Sequence, residues 1–198
     1  IGIKMIEQSK EQAARGDLAN SMGMDESEQA GRKAFVGLGE ADILLLRELA
    51  PFAESEADAV VDGFYDNIER EPELVRLIGD AGSSVERLKK TQRAYLLDLF
   101  KGDYGTDYFE RRLRIGAIHH RIGLTPRWYL GSYAVYMTLL APRILRHWWW
   151  RPGKALRAII ALNKQGKVEL ARTVLWLLRA RDVNMRRMEA ELAREVGD

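Results

Sequence analysis

A chain of 198 residues that is 46% hydrophobic and 30% charged has the balance of a soluble globular fold and enough length for one sizeable core. Its formal net charge of +2 is too small to argue for nucleic acid, and the absence of cysteine excludes disulfides and thiolate metal sites. No signal peptide is visible, and the longest apolar-leaning stretch, Trp128 to Trp150, is broken by Pro142, Arg143 and Arg146, so no segment is expected to span a membrane.

The apolar spacing is helical nearly throughout. Residues 1–30 are polar with a weak pattern and read as the bulk of an extension reaching residue 37, partly tag or disordered; the start at Ile1 rather than Met fits either a fragment or added residues. Glu40 to Leu49 spells an apolar-rich helix closed by Pro51. Ser55 with Asp58 three residues on resembles a capping box and predicts a helix from there to about Arg70. Glu71-Pro72 breaks the pattern. A short helix from Glu73 to Ile78 follows, ended by Gly79, Gly82 and Ser83-Ser84.

Val85 to Phe100 carries apolar residues at 88, 95, 96, 99 and 100 and stops at Gly102. Tyr108 to Leu124 is the next helix. Pro126 starts another at its first turn, running to Trp150 with a bend at Pro142, where an amide donor is lost. Pro152-Gly153 separates it from a last helix heading towards Val196. The chain is therefore all-α, with about seven helices.

Some 40 residues in that last helix would span roughly 60 Å, about twice the diameter of a small domain. Its distal half shows alternating steps of four and three through Val174, Leu178, Arg181, Met185, Met188 and Leu192, a coiled-coil seam with one polar break. Up to about residue 180 the stripe fits its own domain or a second copy equally well. Beyond that point it is expected to pair with a copy of itself, residues 181–198 starting a linker to a module outside this chain.

Two of three histidines lie in Arg114-Ile115-Gly116-Ala117-Ile118-His119-His120-Arg121-Ile122-Gly123-Leu124. Ile115, Gly116, Ile122 and Gly123 sit one turn either side of His119. A histidine on an apolar face is ordinarily a satisfied core residue. Aliphatic neighbours and glycines that let something large approach are, however, what a haem iron needs around its axial ligand. Helical periodicity alone does not separate His119 from His120, since Arg114 and Arg121 mark a solvent face opposite both.

Four strings together carry a family resemblance: Phe64-Tyr65, Leu88-Lys89-Lys90-Thr91, the His-helix string from Ile115 to Leu124, and Pro126-Arg127-Trp128-Tyr129-Leu130-Gly131. Over residues 38–180 the chain resembles the sensor globins, specifically the globin domain of bacterial globin-coupled sensors. The resemblance implies a 3-over-3 globin fold with haem b between a Tyr65/Thr91 side and a His119 side. It makes His119 the proximal iron ligand, with His120 a flanking polar residue. Tyr65 becomes the distal tyrosine beside Phe64, Thr91 a second distal polar group and Leu88 a steric gate. Ile115, Gly116, Ile122, Trp128 and Tyr129 would line the proximal side.

A phenol O–H in a dry pocket donates to the partial negative charge of bound dioxygen; a net value of about 1 kcal/mol tunes affinity rather than creating it. Expected ligands are dioxygen, carbon monoxide, nitric oxide and cyanide, and the expected partner is a second copy through the last two helices. Neither nucleic acid nor a membrane is expected, and the location is expected to be cytoplasmic. The fragment should bind without catalysing; the family's outputs include histidine kinases, diguanylate cyclases and chemotaxis transducers. The rivals are a non-haem interaction module on the same fold and a small haem enzyme of peroxidase or nitric-oxide dioxygenase type. Di-iron Glu-x-x-His pairs, a phosphate loop, His-Glu-x-x-His and a serine elbow are all missing. Trp148-Trp149-Trp150 cannot all point inward on one helix, so at least one should cover a neighbouring helix or a partner, with His147 at the surface.

Overall fold

The computed structural model describes residues 26–168, and the expected seam from Val174 to Leu192 lies outside them. Within this range the chain is all-α, as the spacing predicts. Its helices are α1 (Glu26–Phe35), α2 (Glu40–Glu48), α3 (Ala50–Glu69), α4 (Pro72–Asp80), α5 (Val85–Asp98), α6 (Thr106–Arg121) and α7 (Pro126–His147). A further helix, α8, occupies 152–168.

Several boundaries differ from expectation for local reasons. Pro51 opens α3 instead of closing α2: Leu49 caps both helices in a helical conformation, and proline is tolerated in a first turn, where its missing N–H costs nothing. Ser55 is consequently inside α3, its hydroxyl donating to the Phe52 carbonyl at 2.8 Å, while Asp58 binds Arg93 at 2.9 Å. The apparent capping box is a pair of surface residues. Ser84 does cap, but at the start of α5, where its Oγ accepts from the Arg87 amide. α7 continues through Pro142 and ends at His147, three residues short of Trp150. α1 falls within the expected extension, and Lys33 ties it to the domain by donating to the Tyr104 carbonyl at 2.8 Å.

The core gathers around α3. Its inward stripe of Ala57, Val60, Val61, Phe64 and Tyr65 meets Leu96 and Leu99 of the α5 end and Tyr136, Leu140 and Ile144 of α7. Gly63 lets α3 and α7 close up, since a Cβ there would sit 3.0 Å from Leu139. Ala155, Ala158 and Ala161 recur every three residues on α8, fully buried, so that helix also approaches closely.

Charge is divided unevenly along the chain. Residues 111–168 contain twelve Lys and Arg and no Asp or Glu. This basic half docks on the acidic first half: Arg143 pairs with Glu56 at 3.0 Å, Lys164 with Asp42 at 3.0 Å, and Lys154 with Glu48. Each such pair contributes little alone; together they set the orientation of α7 and α8 on α2 and α3.

Gly102 closes the turn after α5 at φ +68°, and a Cβ there would fall 2.6 Å from Arg47 Cγ. Arg47 is bound to that turn, donating to Gly102 O at 2.8 Å. Gly102→Ala should therefore cost about 1–3 kcal/mol in urea unfolding. Gly79→Ala, with open space around it, should be neutral or stabilising by up to ~1 kcal/mol.

Candidate functional site

α6 delivers His119 in its last turn. Gly123, at φ +78°, closes the helix: its N–H reaches the His120 carbonyl at 3.0 Å and Leu124 N–H reaches His119 O at 2.9 Å. The imidazole edge is partly accessible, but Nδ1 is shut off from solvent and has no hydrogen-bond partner. Burial drives the His119 pKa from 6.5 down to about 4, so the ring is neutral near pH 7. Tyr129 of α7 packs its ring edge-on at 5.6 Å. On the same helix Gly116 is buried, Ile115 and Ile122 are half-buried, and Ile115 packs against the core.

Tyr65 and Phe64 are buried on α3, their rings in a T-shaped contact at 5.4 Å. Burial pushes the Tyr65 phenol well above its ordinary pKa, so it stays protonated and able to donate. Among the described residues its hydroxyl has no hydrogen-bond partner. Phe64 stacks on Tyr136 at 4.8 Å. Leu88 is half-buried against the core on α5, and Thr91, one turn on, is exposed. Trp128 is half-buried, and its indole N–H donates to Glu73 of α4 at 3.1 Å. That bond, with the charge of Arg127, holds the Glu73 carboxyl below its usual range.

Sequence reading missed what joins the two sides. Tyr129 and Tyr133 lie on one face of α7 with rings 5.9 Å apart, and the Tyr133 hydroxyl bonds that of Tyr95 at 3.0 Å. Tyr95 stacks on Tyr136 at 6.5 Å, which leads to Phe64 and so to Tyr65. Gln92 donates to the Tyr136 hydroxyl. The buried Arg112 guanidinium lies 3.6 Å over the Tyr95 ring and donates to Tyr95 O at 3.0 Å, holding α6 to α5. Tyr129, Tyr133 and Tyr136 are spaced by four and three, a helical stripe that could have been read in advance. The contribution of Tyr95 needs the folded arrangement.

The pattern of the protoglobin family matches residues 25–175. The chain belongs to the protoglobin family. It is 42% identical over 121 residues, 61% of this chain, to the heme-based aerotactic transducer HemAT of Halobacterium salinarum, of whose length it spans 25%. The globin domain of a Geobacter sulfurreducens globin-coupled sensor matches 73% of this chain and 94% of its own at a TM-score of 0.68 with 24% identity, which makes the fold a globin fold.

Membership of a globin family implies haem, and this protoglobin's residues fit one. Iron takes a neutral imidazole, and burial keeps His119 neutral. His119 Nε2, neither enclosed nor hydrogen-bonded among the described residues, is the nitrogen open to an iron. Among the described residues no cluster of three or more His, Cys, Asp or Glu could hold a metal ion instead.

In the haem-free chain the depressed pKa has a consequence for stability. Unfolded His119 titrates near 6.5 and folded His119 near 4, so between these values the unfolded state binds the extra proton. Stability should be full above pH 6.5 and fall towards pH 4 by roughly 2–3 kcal/mol. Urea titrations at stepped pH should show this loss removed in His119→Gln.

Proposed function

We propose that this chain is a gas-sensing domain that binds dioxygen reversibly at a haem b held by His119 and relays ligation to a signalling module elsewhere in the protein. The observation that carries the reading is the neutral, half-buried His119 with its Nε2 open and unbonded among the described residues, in a chain of a globin family. The name of the H. salinarum relative, a heme-based transducer, supports the same role. The sensor-globin resemblance makes this group haem b, and with no cysteine in the chain no thioether link holds it.

When bound, haem supplies an iron that takes diatomic ligands, carbon monoxide, nitric oxide and cyanide among them as well as dioxygen. His119 holds that iron. Tyr65, protonated and without a hydrogen-bond partner among the described residues, would donate to the ligand, and Phe64 and Leu88 would keep water from it. Lys89 is not a proton handler for peroxide chemistry, being bound to Asp62 at 2.7 Å. The fragment binds rather than catalyses.

Two contacts suit the relay. The Gln165 amide, fully buried on α8, donates to the Tyr108 hydroxyl of α6 at 3.0 Å. Gly166 admits the Tyr133 ring so closely that a Cβ would lie 2.9 Å from it. A displacement of His119 is thereby felt by α8 from both α6 and α7. A homodimer through α7 and α8 would convert it into a change of helix packing, for an output such as a histidine kinase, a diguanylate cyclase or a chemotaxis transducer.

The absorption spectrum of the purified, haem-reconstituted chain tests the reading. A five-coordinate ferrous form that turns into a stable oxy form, lost in His119→Ala and kept in His120→Ala, is expected. Failure to take up stoichiometric haem would make the chain an interaction module. Tyr65→Phe should keep haem but speed dioxygen release about fivefold, the kinetic equivalent of one lost hydrogen bond, as read by stopped-flow.

A further inference from the structure

The turn between α7 and α8 presents the largest exposed aromatic surface among the described residues. Trp149 is 74% and Trp150 57% exposed, their rings 6.0 Å apart, and Leu145 and Leu156 on the flanking helices are 45% and 56% exposed. The turn is firmly held from beneath. Trp148 is buried, with Lys154 Nζ 4.4 Å over its ring, and His147 stacks on Phe52 at 4.5 Å. Consecutive side chains diverge around the backbone, so anchoring Trp148 inward turns its two neighbours outward.

Arg146, Arg151 and Arg157 lie near this tip in sequence, all exposed and none in an ion pair among the described residues. Of the other basic residues of these helices, Arg143, Lys154, Lys164 and Arg127 are paired with Glu56, Glu48, Asp42 and Glu73, and Lys167 at the far end of α8 is exposed. Two exposed indoles on a firmly held turn, flanked in sequence by arginines without ion pairs among the described residues, make an apolar and basic patch.

We infer that the Trp149-Trp150 tip is a peripheral docking site for an anionic lipid surface. Indole rings favour the headgroup region, where the apolar face is buried and the N–H stays wet. Arginines within a Debye length of an anionic bilayer are attracted to it. A second copy is a poorer occupant. A symmetric contact here would set Arg146, Arg151 and Arg157 against their own copies, and the carboxylates that dock on these two helices, Glu56, Glu48 and Asp42, are already taken by Arg143, Lys154 and Lys164. No helix among the described residues is long and apolar enough to cross a bilayer, and docking on its surface requires none. The expectation of no membrane partner considered only spanning segments. Docking at this tip is independent of haem and of the gas reading.

Co-sedimentation of the chain with sucrose-loaded vesicles tests the inference, comparing phosphatidylcholine alone with phosphatidylcholine containing phosphatidylglycerol. Binding to the phosphatidylglycerol vesicles is expected, weakening as salt rises and much lower on phosphatidylcholine. The double variant W149S/W150S should bind about tenfold more weakly or worse. R151Q/R157Q, which leaves both indoles in place, should lose several-fold and with it most of the salt dependence. Light scattering and circular dichroism should show both variants with the parent's mass and helicity. No phosphatidylglycerol-dependent binding, or equal binding by W149S/W150S, would overturn the inference. A changed particle mass in W149S/W150S would overturn it in favour of a contact between copies.

Discussion

An imidazole held neutral, with one nitrogen closed off from water and the other open and unbonded, can offer only the open one to a metal. His119 is held in that condition from several directions. Gly123 terminates α6 just beyond it, Tyr129 packs across its ring, and Arg112 fastens α6 to Tyr95 two turns earlier. Burial keeps the ring neutral, and neutrality is what iron requires. The packing around it leaves this side chain little freedom to reorient.

The same arrangement connects the two faces of the site. Tyr129, Tyr133, Tyr95, Tyr136 and Phe64 form a continuous run of ring contacts and one hydroxyl pair between His119 and Tyr65. Packed aromatic rings move by discrete repacking rather than by smooth deformation. A ligand-linked shift on either face therefore meets the same set of rings, and α8, in contact through Gly166 and Gln165, lies beside them. Uneven charge adds a second constraint. The basic helices are drawn onto the acidic ones, and Arg146 and Arg151 beside the α7–α8 turn are left without an ion pair among the described residues.

Much of the helical order was legible in the sequence because proline and glycine punctuate it. Pro72, Pro126 and Gly102 mark boundaries where they were expected, whereas Gly123, expected inside a helix reaching Leu124, lies just past its end at Arg121. Pro51 was misread because a proline beside an apolar run serves equally to end one helix or to begin the next; only the packing of Leu49 under both decides. The residues of the His119 and Tyr65 strings could be picked out since a motif is local in sequence. The tyrosine run could not, because Tyr95 comes from one helix and Tyr133 and Tyr136 from another. Their meeting depends on how α5 and α7 pack. The lack of acidic residues from 111 to 168 was plain in the sequence, but which carboxylates answer each base is a property of the fold alone.

The crystal structure of the haem-loaded chain with a bound diatomic ligand tests the central claim most directly. The account predicts iron bonded to the His119 imidazole and the Tyr65 hydroxyl within hydrogen-bond distance of the ligand on the opposite face. Iron held by His120, or haem seated away from α6, would contradict it.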